Sequence, residues 1–415
     1  MSILVAGGGP AGLAAAVSAS RLGIPVTLVE RYGFLGGMGT AGLVHPWMSY
    51  FSGEKQLVGG IFEEVVVRLK KEGAFKDGSH LGLRHHCFDP ETLKGVLQDL
   101  ALSAGVNMLL HTFIVGAVNG DGYVSFVRAA SKSGLEEIGA DFFIDATGDA
   151  DLSFLSGVPC DKGRQEDGLM QPATLHFRMG GVEEDRMPSR EEINSIYRRA
   201  MEDGRLSNPR ENLLWFDTTR KGEIHFNTTR MIRIDGTSRD DLTRAELEGR
   251  RQMREIVEFL RREIPGFEKA FLLCSAPQVG VRETRRIRGL ATLTSDDIRN
   301  GRLFRDTIAL GSYGIDIHDP EGRGTLQEVL PPGRFYGIPY RALIPGSPAN
   351  LIVAGRPISS TFEAFAAVRI QPTCYATGEA AGTAAALCLK TGVKPADLPV
   401  DDLRSALRSQ GAILE

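Results

Sequence analysis

Gly7, Gly9 and Gly12 are spaced as G-x-G-x-x-G, immediately after the apolar run Ser2–Ala6. That spacing suits a backbone that must come close to a pyrophosphate. Gly7 permits a tight turn, Gly9 lets the main chain approach the phosphates, and Gly12 allows a helix to pack closely on its strand. The N-terminus of that helix offers free N–H groups and a partial positive charge. Glu30 ends the next apolar run, at the distance expected of an acid that binds ribose hydroxyls. Together these residues predict a dinucleotide site at the start of the chain.

Other residues could work on a substrate. Arg282, Glu283, Arg285 and Arg286 cluster in one short stretch. Arginines there could clamp a carboxylate or polarise a carbonyl, or form an Arg–Glu network that braces an interface. His318 stands two residues after Asp316, which puts both on one face of a strand. This suits a base and its orienting acid as well as an interface histidine. Arg341 in Tyr340-Arg341 carries the same two readings. His80, His85, His86 and Cys87 match no zinc spacing, because adjacent histidines point in different directions, so no metal is expected. The five cysteines, Cys87, Cys160, Cys274, Cys374 and Cys388, are scattered without a C-x-x-C pair. They fit a reducing compartment. Cys374 is expected near the site without a redox partner.

These residues need elements to position them. The first thirty residues predict strand, glycine turn, helix to about Leu22, and second strand Pro25–Val29, which is a βαβ unit. Gly36-Gly37-Met38-Gly39-Thr40 reads as a loop lining a ligand. A helix is expected over Phe88–Ala104, then β runs Leu109–Val118, Tyr123–Ala130 and Leu135–Ala146. The first pair should turn at Asn119-Gly120-Asp121-Gly122. Thr243-Arg244-Ala245-Glu246 predicts a capping box opening a helix with the apolar stripe Met253, Ile256, Val257 and Leu260. Its arginines form a solvated face. Asn350–Ala354 predicts a strand and Gln371–Lys390 a long small-residue helix.

The 415 residues suffice for two or three units, and the formal net charge of -4 argues against a broad nucleic-acid footprint. No targeting or membrane-spanning segment is evident, and a cytoplasmic location is expected.

Further motifs recur in order: Ala146-Thr147-Gly148-Asp149, Val281–Arg286, Ile338–Arg341, Gly355-Arg356, Gln371-Pro372-Thr373 and Gly378–Gly382. With Glu30-Arg31 and both glycine loops, the set resembles the FAD-dependent oxidoreductase family. That family is similar to the glutathione-reductase-like, fumarate-reductase and glucose-inhibited-division flavoproteins. The resemblance implies an α/β fold: a Rossmann-like FAD-binding domain formed by both termini, with an inserted mixed α+β substrate domain. The expected limits are 1–154, 155–335 and 336–415. It implies FAD held by Gly7, Gly9, Pro10, Ala11, Gly12, Glu30, Arg31, Gly36, Gly37, Met38 and Thr40. Ile114, Val115, Ala146, Thr147, Gly148, Asp149, Gly355, Arg356, Ile370, Gln371 and Thr373 complete the expected contacts. His45 follows the flavin loop and could reach the ring, and the resemblance allows a covalent link, since some related flavoproteins attach FAD through a histidine in this neighbourhood. Only one dinucleotide fingerprint is present, so no separate nicotinamide domain is expected. The implied activity is hydride transfer between a small polar substrate and flavin N5, with Arg282, Glu283, His318 and Arg341 as candidate catalytic residues. An RNA-modifying flavoprotein and a non-catalytic flavin-binding module are the alternatives.

Overall fold

The computed structural model describes residues 1–80, 83–322 and 324–415, with only the backbone described at 79, 80, 83 and 84. Its organising element is a five-stranded parallel sheet in the order Leu351–Val353, Phe142–Asp145, Ile3–Ala6, Val26–Val29, Asn107–Leu109. Ile3–Ala6 is central and buried on both faces, which is why the run is apolar without alternation. Helix Pro10–Arg21 follows it and packs along helix Gln371–Thr391. Small residues make that approach possible. A Cβ added at Gly378 would strike the backbone of Ala11, and one at Gly382 the backbone of Ala15.

The helix predicted over Phe88–Ala104 spans Pro90–Ser103, and the Asp89 carboxylate caps it by accepting from the Thr92 N–H at 2.9 Å. The predicted hairpin turns through Asp121 and Gly122, at φ 51° and 81°, as a two-residue mirror-image turn requires. Two predicted runs are each divided between sheets. Asn107–Leu109 pairs in the parallel sheet, whereas Phe113–Gly120 begins a three-stranded antiparallel meander. Leu135–Ala146 likewise splits into Gly134–Gly139, the mostly exposed edge of the meander, and buried Phe142–Asp145. The mixed polarity of the first half and the unbroken apolarity of the second were the physical sign of two environments.

A second body is built on a four-stranded antiparallel sheet, ordered Trp215–Asp217, Ile224–Phe226, Phe177–Gly180, Phe271–Ser275. Helices Arg190–Glu202 and Arg239–Glu263 cover it, and its own apolar core runs from Ala173 to Val279 with Leu43 added. The second helix starts earlier than the predicted box. Ser238 is the cap, accepting from the Asp241 N–H at 3.3 Å, while the Thr243 hydroxyl donates back to the Arg239 carbonyl from inside the helix. Met253, Ile256 and Leu260 are buried as expected, and Arg250, Arg251 and Arg262 pair with acids of the same helix.

From Leu293 the chain rejoins the first core, to which Ile298, Ile308, Ile315, Tyr336 and Ile338 also contribute. Packing therefore returns to the first body well before the compositional change near residue 335. Among the described residues, no helix is long and apolar enough to cross a membrane.

Candidate functional site

The first strand stops at Ala6, and the chain turns through Gly7 at φ 94°, where a Cβ would overlap the Ala146 carbonyl. Gly9 then opens helix Pro10–Arg21 without any side-chain cap, so the first-turn N–H groups face the cleft beyond the strand ends. Gly37 of the second glycine loop lies opposite: a Cβ on it would stand 2.9 Å from Cα of Gly9. Glu30 closes one end of this cleft. Its carboxylate accepts from the Gly8 N–H at 2.6 Å and the Tyr32 N–H at 2.9 Å. Burial raises its pKa against the pull of those same N–H groups.

The opposite wall comes from the far end of the sequence. Ala354, Gly355 and Arg356 follow the edge strand, and Arg356 pairs with Asp149 at 2.7 Å, the same carboxylate oxygen accepting from the Thr284 hydroxyl at 2.9 Å. Gln371, in the first turn of its helix, donates to the Val44 carbonyl at 2.8 Å and accepts from the Trp47 indole at 2.9 Å. It thereby pins the loop that follows the second glycine turn. An uncapped helix end, two facing glycine loops and an acid at one end fit a dinucleotide.

A second space continues from the cleft, and Met38, Val281, Arg356, Arg369 and Gln371 line both. Its far walls are residues of the second body and of strand Ile315–His318. Here Tyr313 donates to Asp316 at 3.0 Å, and the carboxylate is held by Arg369 at 3.1 Å and stands 3.5 Å from His318 Nε2. Although burial opposes it, the N–H of the neutral His318 ring, then Arg369 and the Tyr313 hydroxyl, hold the Asp316 carboxyl below its usual range. Burial, then Arg282, keeps His318 neutral, and its Nδ1 lies 3.3 Å from both Arg230 and Thr325. His45 and His176 also face this chamber, and burial is the first cause of their lowered pKa, His45 falling to about 3.

Most of the expected cofactor residues meet at the cleft: Gly7, Gly9, Pro10, Ala11, Glu30, Arg31, Gly37, Met38, Ala146, Thr147, Gly148, Asp149, Gly355, Arg356 and Gln371. Gly12, Gly36 and Thr40 stand behind it. A Cβ on Gly12 would enter the Gly7 carbonyl, one on Gly36 the Thr40 side chain, and the Thr40 hydroxyl donates to Leu35 at 2.7 Å. Ile370 faces the chamber, and Thr373 is buried in its helix. Ile114 and Val115 line neither space, since Ile114 packs in a side cluster and Val115 is exposed.

Of the candidate catalytic residues, Arg282 and His318 line the chamber. Glu283 does not. It is fully buried, pairs with Arg286 and accepts from the Gln171 N–H at 3.1 Å, so it braces the interior. Arg341 is 55% exposed and pairs with Asp306 at 2.9 Å, outside both spaces. His85 and His86 diverge, one edge-on to Phe216 and the other bonded to Asp77 at 2.6 Å, and the side chain of His80 lies outside the described residues. Cys374 lines the cleft with its thiol pushed by burial to about 12.

Sequence reasoning missed Tyr32, Gln278, Arg210, Tyr313 and Arg369, all of which line one space or both. None lies in a spaced motif. Only an excess of arginine in a mixed stretch could have drawn attention to Arg210.

Comparison with known proteins agrees with this geometry. A geranylgeranyl bacteriochlorophyll reductase-like protein from Thermoplasma acidophilum superposes with a TM-score of 0.52 at 13% identity, covering 99% of this chain and 83% of that one. A p-nitrophenol 4-monooxygenase from Pseudomonas putida gives 0.50 at 10% identity, covering 99% and 84%. At these identities the likeness concerns the fold. No curated protein sequence matches the chain. The family model for FAD dependent oxidoreductases matches residues 2–407, and the chain belongs to that family.

Proposed function

We propose that this FAD-dependent enzyme transfers a hydride between a small polar substrate in the chamber and N5 of the flavin. The observation that carries the reading is the continuity of cleft and chamber through Met38, Val281, Arg356, Arg369 and Gln371. When bound, FAD supplies the hydride chemistry, and the protein supplies placement and proton handling.

In this reading the N–H groups after Gly9 hold the pyrophosphate and Glu30 receives the ribose hydroxyls. Arg282 orients the substrate from the chamber wall. His318 Nδ1 faces the Arg230 guanidinium, which only donates, so the imidazole hydrogen sits on Nε2 towards Asp316. His318 is therefore a positioning residue for Asp316. Tyr313, bonded to that carboxylate, is the group placed to exchange a proton with substrate.

The test begins with the absorption spectrum of purified protein before and after acid precipitation, followed by anaerobic screening of small polar donors. Yellow colour released to the supernatant, and bleached by a donor, supports the reading. A bound flavin that dithionite bleaches but no organic donor does would defeat it. With a donor in hand, Tyr313→Phe is expected to slow bleaching about 100-fold while FAD stays bound.

A further inference from the structure

Several arginines reach or back the chamber, and most have a carboxylate. Arg356 has Asp149 at 2.7 Å, Arg369 has Asp316 at 3.1 Å, and Arg230 has Glu211 at 2.8 Å. Among the described residues, Arg210 and Arg282 do not. Arg210 is 3% exposed, gives Nε to the Asn212 side-chain oxygen at 3.2 Å, and has no partner at Nη1 among the described residues. Arg282 donates to the Pro172 carbonyl and the Thr174 hydroxyl, each at 2.6 Å, and to the Asn227 side-chain oxygen at 3.4 Å. Every one of these acceptors is neutral. Both residues line the chamber.

We propose that Arg210 and Arg282 form the binding site for a small dianionic substrate, either a dicarboxylate or a carboxylate bearing a second acidic group. This inference rests on the chamber being the substrate site.

An unmatched charge in a protein interior is costly, and a fold that needed only packing could place apolar side chains there. The two positions are also electrostatically close. Burial, then the neighbouring guanidiniums of Arg369, Arg210 and Arg230, disfavours the charged form of Arg282. Guanidinium is the side chain least able to relieve such repulsion by losing a proton, so an incoming anion relieves it instead. The planar fork of each matches a carboxylate. Charge sets the number of acidic groups. Glu211 and Asp316 are already engaged, and His45, His176 and His318 are held neutral, so two positive charges remain after pairing. A monoanion would leave one of them unmatched, and a neutral amide would leave both.

The experiment uses FAD-loaded protein and isothermal titration calorimetry with malonate, succinate and glutarate at constant ionic strength. Propionate and succinamide are the controls. At least one diacid is expected to bind about tenfold or more tighter than propionate, with succinamide weaker still. Arg210→Met and Arg282→Met should each weaken the diacid about tenfold or more, while raising the Tm of ligand-free protein. Arg282→Lys, which keeps the charge but loses the fork, should fall between. Three outcomes would overturn the proposal: no diacid binds, succinamide rivals succinate, or both methionine variants bind diacid normally. A lower ligand-free Tm in both methionine variants would also overturn it, by making the arginines structural braces. Diacid binding to a flavin that no donor bleaches would instead remove the hydride reading and leave the anion site standing.

Discussion

At the scale of single residues, two facing glycines do different jobs. Gly9 has an ordinary negative φ, and a Cβ on it would stand 3.6 Å from Gly37, a normal contact within the protein. Gly37 has φ 52°, and its Cβ would press within 2.9 Å of the Gly9 Cα. Gly9→Ala should therefore fold with an unchanged apoprotein Tm but bind FAD about tenfold or more weaker, because the methyl enters the phosphate floor. Gly37→Ala should lose both stability and cofactor. Thermal melts beside FAD titrations separate the two; equal Tm losses in both variants would refute the distinction. Such glycines were legible in the sequence because each answers a fixed spacing. Arg210 was not, since nothing local to it signals that it shares a wall with Arg282, 72 positions on.

Helices show how far local rules reach. The small residues of Gln371–Thr391 announced close packing, and Gly382 tests it. Gly382→Ala forces a methyl into the Ala15 backbone and should cost ~2 kcal/mol or more, read by urea unfolding. The same helix holds a buried acid. Glu379 accepts the Ile61 N–H at 3.1 Å through Oε2, while Oε1 has no partner among the described residues, and burial lifts its pKa to about 7. A carboxyl raised in the folded state stabilises below the unfolded value of 4.5, and that stabilisation is lost as pH rises from there to about 7. The loss amounts to ~3 kcal/mol by linkage. Glu379→Gln, which copies the neutral form, should therefore be more stable than wild type at pH 8 and nearly equal to it at pH 4.5. A pH-independent difference would show that the charge is not the cause. Helix starts were less legible than helix faces. Ser238-x-x-Asp241 and Thr243-x-x-Glu246 both satisfy the capping pattern, and the acidic first turn after Ser238 lets the earlier one win.

Across the whole molecule, the parallel sheet and its glycine cleft were readable because buried strands and phosphate loops impose composition directly. The division of packing was not. Residues 293–344 look as mixed as the second body yet return to the first core, since which core a strand joins depends on partners distant in sequence. The site itself joins these distant parts, so cofactor and stability are linked. In the apoprotein the cleft walls are held by contacts such as Arg356 with Asp149. Adding FAD well above its dissociation constant should raise unfolding free energy by ~1.4 kcal/mol per tenfold excess. Calorimetry at a series of FAD concentrations checks this, and a Tm insensitive to FAD would contradict it.

The strand beside Phe142–Asp145 is Leu351–Val353, and the Gln371 helix closes the cleft over Gly7 and Gly9. A ribosome releases the phosphate loop more than 300 residues before its opposite wall. Until then Phe143 and Ile144 present an unpaired sheet edge to whatever is nearby, a window for misassembly that chaperones would be called on to cover. Flavin capture must wait for the edge strand and the Gln371 helix, and a chain arrested before Asn350 should emerge colourless. Bound cofactor thus certifies that translation has passed the Gln371 helix.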